Sequence, residues 1–162
     1  MIGNLLRVSS GELDAYLKDS SLLETRLDEA LDHDNPNLVD IGKSWDGINF
    51  LLTGTIVGDS GHPLEKVLFS TQCIDENQDL GYGPGTYVTA KQVKQLNEEL
   101  SKITGEELNK RYDAKKMMAL ELYPNGWEEK HMLDYLIENF KTVQDVYAMA
   151  AKNGQAIITF LS

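Results

Sequence analysis

The chain has 162 residues, a length that fits one domain able to bury roughly two-thirds of the surface of its unfolded chain. Its formal net charge of −11 argues against DNA or RNA as a partner, because binding to phosphate depends on lysine and arginine. The same charge disfavours anionic membrane surfaces and favours a basic protein partner or a cationic ligand.

The chain shows no pattern typical of secretion or membrane insertion. Residues 1–8 are too short and too polar for a signal peptide, and no apolar run approaches the roughly 20 residues of a membrane span. Cys73 is the single cysteine, which leaves no partner for an intramolecular disulfide or a thiol-rich metal site. We therefore expect a cytoplasmic protein without a cofactor, and the oligomeric state stays open.

The first part of the chain predicts two capped helices. Ser9 with Glu12, and again Ser21 with Glu24, have the spacing of a capping box, in which two side chains satisfy exposed backbone N–H groups. A turn is expected over residues 33–37. The helical positions expected to face the core are Leu13, Tyr16, Leu17, Leu22, Leu23, Leu27, Ala30 and Leu31.

The strongest helix signal surrounds Trp45. Asp40 is a suitable N-cap and Gly54 a suitable left-handed C-cap, which predicts a helix between them. One face would carry the apolar residues Ile41, Trp45, Ile48, Leu51 and Leu52. The opposite face would carry a polar edge made of Asp46, Asn49 and Thr53.

The middle of the chain alternates between loops and short apolar runs. Pro63 suits the first position of a helical turn. Residues 67–74 could continue that turn or form a buried strand, and periodicity does not separate the two. Residues 81–85 contain three glycines around Pro84, a composition that lets the backbone turn sharply or approach another group closely.

The last part predicts further helices and a strand. Thr89 with Gln92 repeats the capping-box pattern, and a long helix is expected from Trp127 up to Gly154.

Apolar residues at both ends of the chain indicate strands, at residues 2–8 and 156–161, that are too short to stand alone. We expect them to pair, together with a central extended segment, under a helical layer. The expected fold class is α+β: a single compact domain over residues 1–162, with several amphipathic helices packed on a small sheet that includes the N- and C-terminal strands.

Motifs for acid–base or metal chemistry are weak. His33, His62 and His131 share no metal-binding spacing, which favours solvated surface histidines. Residues 32–35 resemble the start of a calcium loop but lack its central glycine and closing glutamate. The glycines of residues 81–85 lack the lysine of a P-loop, and a structural turn explains them as well. The sequence therefore leans away from an enzyme and predicts no metal site.

A groove is the remaining way in which the chain could hold a ligand. Aromatic residues beside a few convergent polar groups are typical of small-ligand or peptide sites, and equally of the rim of a core. The ligand-binding residues expected if the segments converge are Trp45, Asp46, Asn49, Tyr82 and Tyr87.

Three segments of the chain form a family pattern when taken together. The first lies within residues 38–54 and contains Trp45 followed by Phe50-Leu51-Leu52-Thr53-Gly54. The second is Gly81-Tyr82-Gly83-Pro84 with Tyr87-Val88-Thr89, and the third runs from Tyr135 and Phe140 through Tyr147 to the final apolar strand. In content and order these segments resemble the YfbM-like bacterial proteins, a family known as domain of unknown function 1877. The resemblance covers nearly the whole chain.

The resemblance implies a single α+β domain of about this length and no assigned activity. In that family histidines are common at the positions of Asp46 and Asn49, so this chain departs from the pattern there, which disfavours a shared histidine-based site. A site common to the family would involve Trp45, the loop from Gly81 to Pro84, and Tyr87.

Two functions follow as hypotheses. The first is a non-enzymatic binding or protein-interaction domain, in one form an acidic inhibitor or immunity-type protein that masks a basic partner. The alternative is a small-molecule-binding domain or enzyme with a groove near Trp45 and the loop of residues 81–84.

Overall fold

The computed structural model of the chain describes residues 1–32 and 35–162, except for the side chains of residues 30–32. Within these residues the strands are β1 (Gly3–Val8), β2 (Leu38–Asp40), β3 (Thr86–Val88) and β4 (Ala156–Leu161). The α-helices are α1 (Ser10–Lys18), α2 (Ser21–Asp32), α3 (Trp45–Thr53), α4 (Ala90–Leu100), α5 (Gly105–Arg111), α6 (Ala114–Ala119) and α7 (Met132–Asn153). A 3₁₀ helix covers Pro63–Val67. No described helix combines the length and the apolar character needed to cross a membrane.

The strands form one antiparallel sheet in the order β2-β1-β4-β3. β1 and β4 are the central pair, with Gly3 opposite Leu161 at one end and Val8 opposite Ala156 at the other. β2 extends the sheet beside β1, and β3 extends it beside β4. The predicted α+β fold with paired terminal strands is therefore confirmed.

Helices cover both faces of this sheet rather than one. Successive side chains of a strand point to opposite faces, so Leu5 and Ile157 enter one apolar cluster while Leu6 and Ile158 enter another. The larger cluster lies between the sheet and helices α3 to α7, and we call these helices the thick layer. The smaller cluster is built with α1, α2 and residues 74–80, which we call the thin layer.

Two of the predicted capping boxes are present. Ser9 Oγ accepts the N–H of Glu12 at 3.1 Å, and the Glu12 carboxylate accepts the N–H of Ser9 at 2.7 Å. Thr89 and Gln92 form the same reciprocal pair at the start of α4, at 3.3 and 2.8 Å. Both partners of such a cap lie within one helical turn, so a local pattern can predict it.

The start of α2 differs from the prediction. Ser21 is the first residue of the helix, and its N–H and hydroxyl both donate to the carboxylate of Asp19, at 3.1 and 2.6 Å. The predicted box with Glu24 is wrong because a closer carboxylate satisfies the same backbone group. Leu17 and Leu22, predicted to face the core, are 41% and 45% exposed, so the apolar stripes of the thin layer are narrower than expected.

The helix around Trp45 is shorter than predicted. Asp40 is not its N-cap but the last residue of β2, where its carboxylate accepts the N–H of Gly42 at 3.0 Å. The N–H of Ile41 donates to the carbonyl of Gly3 at 2.9 Å, which prolongs the pairing with β1. Strand pairing therefore takes precedence over the local cap, and α3 begins only at Trp45.

Other predicted boundaries are mostly confirmed. Gly54 ends α3 with a φ of 80°, the left-handed conformation expected of a C-cap glycine. Pro63 opens the 3₁₀ helix, as expected. Residues 67–74 form no strand; their only ladder contact is an isolated bridge from Cys73 to β3.

The long C-terminal helix begins later than predicted, at Met132 instead of Trp127. Trp127 is fully buried, and its indole N–H donates to the carbonyl of Leu122 at 3.0 Å. The chain turns between these two residues and does not enter the helix until Met132. The turn predicted at residues 33–37 includes His33, which lies outside the described residues.

Candidate functional site

Trp45 and Asp46 lie in the first turn of α3, against the turn that contains Tyr123. The Trp45 ring stacks on the Tyr123 ring at a centroid distance of 5.6 Å and meets the edge of the Phe69 ring at 5.5 Å. Its indole N–H is buried and has no hydrogen-bond partner among the described residues. Asp46 Oδ2 accepts the backbone N–H of Tyr123 at 2.9 Å. Both residues therefore hold this turn on the core.

The surroundings of Asp46 change its acidity. Burial raises the pKa of the Asp46 carboxyl above its ordinary value, and the hydrogen bond from the Tyr123 N–H partly offsets that effect. A raised pKa serves acid–base chemistry only when the carboxyl can reach a substrate. Here the carboxylate faces a backbone amide of its own chain, so its described contacts are structural.

Asn49 lies inside the core and not on an exposed polar edge. Only 1% of its surface is exposed, because the loop after α3 folds back over it. Its amide Nδ2 donates to the carbonyl of Thr55 at 3.3 Å, while its Oδ1 has no partner among the described residues. The polar edge predicted for α3 is therefore buried at this position.

Tyr82 and Tyr87 lie in different surroundings from Trp45. Tyr82 is 60% exposed on the loop of residues 81–84. Tyr87 is half-buried in β3 and packs on the thin-layer cluster, whereas Trp45 belongs to the thick-layer cluster on the other face of the sheet. The five predicted ligand-binding residues therefore do not meet in one groove, although Trp45 and Asp46 adjoin each other.

A small cleft lies between the loop of residues 81–84 and Phe69. Its volume is about 110 Å³, which is room for a single ring or a few waters. Phe69 connects this cleft to Trp45, and the hydroxyls of Thr86 and Thr159, which also line it, are hydrogen-bonded at 2.9 Å. Its apolar and aromatic walls are Ile41, Leu68, Phe69, Tyr82, Pro84, Phe160 and Leu161.

A larger groove lies on the thin-layer side of the same end of the sheet. Its volume is about 310 Å³, and its exposed carboxylates come from α2 and from the loop before Gly81. It is lined by Asn4, Glu24, Leu27, Asp28, Leu38, Asp79, Leu80, Phe160 and Ser162, which we call the acidic groove. Three of these residues are acidic, and none is lysine or arginine.

Residues 79–83 hold one wall of the acidic groove in place. Asp79 Oδ1 accepts the N–H groups of Gly81 and Gly83 at 2.9 and 3.0 Å, and these bonds hold the pKa of the Asp79 carboxyl below its ordinary value. A Cβ atom on Gly81 would lie 3.0 Å from the Cα of Ser162, and its φ is 128°. Only glycine allows the loop to approach the end of β4 this closely.

Hydrogen bonds also join this loop to α2. Ser20 Oγ donates to the carboxylate of Asp75 at 2.8 Å. The buried amide of Gln78 donates to the carbonyl of Ser20 at 2.9 Å and to the carboxylate of Glu24 at 3.1 Å. The Oε1 atom of Gln78 is buried and has no partner among the described residues. The two walls of the acidic groove are thus fixed relative to each other.

Sequence reasoning did not predict the acidic groove. Glu24 and Asp28 are four residues apart on α2, which places them on one face of the helix, and this spacing was a readable signal. Asp79 follows in a distant loop, and no local pattern relates it to α2. The groove exists only because the loop of residues 75–80 folds onto that helix.

A second pair of openings lies between the 3₁₀ helix and the α4–α5 segment. Their volumes are about 380 and 400 Å³, and they share His62, Leu64 and Glu99. Both signs of charge line them, and Lys102 pairs with Glu99 at 2.8 Å while Arg111 pairs with Glu107 at 3.1 Å. We call this region the mixed-charge groove.

The histidines provide no clustered chemistry in the described structure. His62 Nδ1 accepts the N–H of Leu64 at 3.1 Å, so the neutral ring carries its proton on Nε2. His131 is exposed, 3.6 Å from Glu129. Among the side chains that the structure describes, no three from His, Cys, Asp or Glu are arranged to hold a metal ion.

The geometry first defines a class: an α+β domain whose antiparallel sheet separates an acidic thin layer from a thick layer that contains the larger apolar cluster. The chain belongs to the family described as "Domain of unknown function (DUF1877)", which it matches over residues 1–160. This confirms the family resemblance found in the sequence.

Comparison with solved structures agrees with that assignment. The crystal structure of YfbM from Escherichia coli, itself described as a protein of unknown function, is similar with a TM-score of 0.77 and 20% sequence identity. The similarity covers 98% of each chain. At this level of identity it shows a shared fold. None of the curated proteins matches the chain.

Proposed function

We propose that the chain is a non-enzymatic interaction domain whose thin layer binds a basic protein. The observation that carries this proposal is the acidic groove, where three carboxylates surround an apolar floor and no lysine or arginine contributes to the lining. An inhibitor or immunity-type protein that masks the basic surface of its target is one form of this function.

The distribution of charge supports the proposal. Residues 10–32, which form the two helices of the thin layer, contain seven acidic residues and two basic ones, so they carry about half of the net charge of −11. The carboxylates of the groove are exposed and available to a partner. A concentrated field of one sign accelerates association with a partner of the opposite sign, and added salt weakens that effect.

Affinity capture followed by quantitative binding tests the proposal. The immobilised domain is exposed at low salt to a lysate of the cells that make it, and each captured protein is purified and titrated by calorimetry. We expect a basic protein whose affinity falls as salt rises from about 50 to about 300 mM.

Two matched triple variants identify the binding layer. Asp14→Asn, Asp28→Asn and Glu29→Gln remove three exposed carboxylates from the thin layer, whereas Glu98→Gln, Glu106→Gln and Glu138→Gln remove three from the thick layer. The first variant should lose affinity and the second should keep it. Equal losses of affinity in the two variants would contradict the proposal. So would a capture experiment that recovers acidic and neutral proteins but no basic one.

The small cleft beside Tyr82 supports a second candidate, a domain that binds a small ligand. Its aromatic wall is continuous with Trp45 through Phe69, and its volume of about 110 Å³ suits a single ring. A ligand that binds only the folded state raises the melting temperature, by roughly 2.7 kcal/mol of apparent stability at a hundredfold excess over its Kd. A hit that Tyr82→Ala abolishes, with the fold intact, would favour this candidate.

A further inference from the structure

We propose that the acidic groove binds one basic side chain, arginine in preference to lysine, from an extended segment of the partner protein. This inference rests on the proposed function and assigns it to one place on the surface. It also gives the chemistry of the contact: an aliphatic stem on the floor of the groove and a cationic head between carboxylates on its two walls.

The shape of the groove matches an amphipathic side chain. Its floor consists of apolar side chains that are buried or half-buried, namely Leu27, Leu38, Leu80 and Phe160. Arginine and lysine lay their methylene stems along such surfaces while keeping the charged head among polar groups. The volume of about 310 Å³ exceeds what the neighbouring small cleft offers and accommodates a long side chain.

The charges are placed on opposite walls. Glu24 and Asp28 extend from one face of α2, with Cβ atoms about 6 Å apart at this spacing. Asp79 extends from the loop across the groove, where two backbone N–H groups hold one of its carboxylate oxygens. A cation between the walls can therefore contact carboxylates from both sides.

These three carboxylates are not neutralised within the described structure. None of the described ion pairs includes Glu24, Asp28 or Asp79; the pairs lie on α4, α5 and α7 and beside His131. The mixed-charge groove has no such excess, since its carboxylates Glu99 and Glu107 already bind basic residues of the same chain. Charge complementarity therefore favours the acidic groove for a basic side chain.

The carboxylates on the two walls favour arginine over lysine. A guanidinium has five donors in a planar fork and can bind carboxylates on both walls together, whereas an ammonium acts as a compact point charge.

Peptide titration by NMR tests the inference directly. The probe is an acetylated and amidated pentapeptide with a central arginine between two leucines and two outer glycines, added to the ¹⁵N-labelled domain. The matched peptide carries citrulline, which is uncharged and nearly isosteric with arginine. We expect the amide signals of Asp28, Leu80 and Phe160 to shift with the arginine peptide, and to shift at least fivefold less with the citrulline peptide.

Variants of equal net charge separate the groove from the general acidity of the thin layer. Glu24→Gln with Asp28→Asn retains the acceptor oxygens and should weaken arginine-peptide binding at least fivefold. Asp14→Asn with Glu29→Gln removes the same charge from the thin layer outside the groove. It should leave the affinity for the arginine peptide within twofold, because a peptide this short contacts the groove and not the rest of the layer. Melting temperatures confirm that both variants are folded. A lysine peptide should bind more weakly than the arginine peptide, and equal binding would contradict the preference for arginine.

The outcomes distinguish this inference from the proposed function. If the captured basic partner binds the Glu24 and Asp28 variant as well as the unchanged domain, or if peptide shifts map to the mixed-charge groove, the groove assignment is wrong while the interaction function stands. If no basic partner binds, the proposed function itself is wrong. Shifts at the groove that depend on the arginine charge, together with loss of partner binding in the groove variant, support both.

Discussion

The two layers on either side of the sheet differ in both packing and charge. The thick layer contains the two largest fully buried side chains among the described residues, Trp127 and Tyr147. The thin layer has two helices, a smaller apolar cluster and exposed leucines at positions 17 and 22. Its helices also carry about half of the net negative charge. We infer that the thick layer supplies most of the stability, whereas the thin layer carries the proposed binding surface.

This division has a physical basis. Burial of apolar side chains contributes in proportion to the area removed from water, so the side of the sheet with more helices contributes more. Like charges repel one another, and a layer dense in carboxylates stabilises itself less well than a neutral one. The following changes test this comparison, from the largest expected effect to the smallest.

Leu136→Ala should have the largest effect. Leu136 is fully buried on α7, and truncation leaves a cavity that costs about 2–5 kcal/mol of unfolding free energy. Leu22→Ala on α2 is the matched control in the thin layer, where the side chain is 45% exposed and the expected change is within about 0.5 kcal/mol. Urea denaturation measures both, and similar losses would contradict the unequal roles of the layers.

Gly47→Ala should have the next largest effect on stability. A Cβ atom there would lie 2.6 Å from Trp127 and 2.8 Å from Leu136, so overpacking should cost about 1–3 kcal/mol. Gly11→Ala in α1 meets no atom closer than 3.9 Å and should instead stabilise the domain by up to about 1 kcal/mol. Thermal melts of both variants provide the comparison, and a stabilised Gly47 variant would show that the α3–α7 contact is looser than the structure indicates.

Ser9→Ala should cost about 1 kcal/mol because it removes an N-cap whose hydroxyl accepts a backbone N–H. Ser21→Ala is the matched control. Its hydroxyl binds Asp19 at an exposed position and caps no helix, so its loss should cost less than about 0.5 kcal/mol. Equal losses by chemical denaturation would mean that the second predicted capping box does form.

Two aspartates, one in each layer, should respond to pH in opposite directions. The pKa of Asp46 is raised by burial, so the folded state binds more protons than the unfolded state and stability falls as pH rises from 3.8 towards the folded pKa. The pKa of Asp79 is lowered by its two backbone N–H bonds, so its contribution is present above 3.8 and is lost as pH falls through the folded pKa.

The corresponding amides test these signs. At pH 7, Asp46→Asn should leave the domain as stable or more stable, because asparagine still accepts the N–H of Tyr123 without burying a charge. Asp79→Asn should make it less stable, and both differences should vanish at low pH. Unfolding free energies measured from about pH 2.5 to 7 provide the comparison. If both variants change stability in the same direction at pH 7, the direction of the pKa shift is wrong for one of the two aspartates.

Local signals in the sequence determined the parts of the fold whose partners lie within a helical turn or along one strand. The boxes at Ser9 and Thr89 and the glycine that ends α3 form as predicted, because both members of each interaction are close in sequence. The terminal strands follow from their apolar runs, and the family follows from three segments spread along the chain.

Tertiary structure decided what depends on distant residues. Asp40 is a residue type that often caps helices, but its pairing with Asn4 of β1, far away in the sequence, places it in a strand. Tyr87 and Trp45 both suit a ligand site, but the sheet separates them onto opposite faces, which no one-dimensional pattern reveals. The acidic groove has the same origin, since Asp79 faces Glu24 and Asp28 only after the loop folds onto α2. The sequence by itself therefore determined the elements, the fold class and the net charge, and only the tertiary structure decided where that charge forms a site, because a groove is defined by the distance between walls that are remote in the chain.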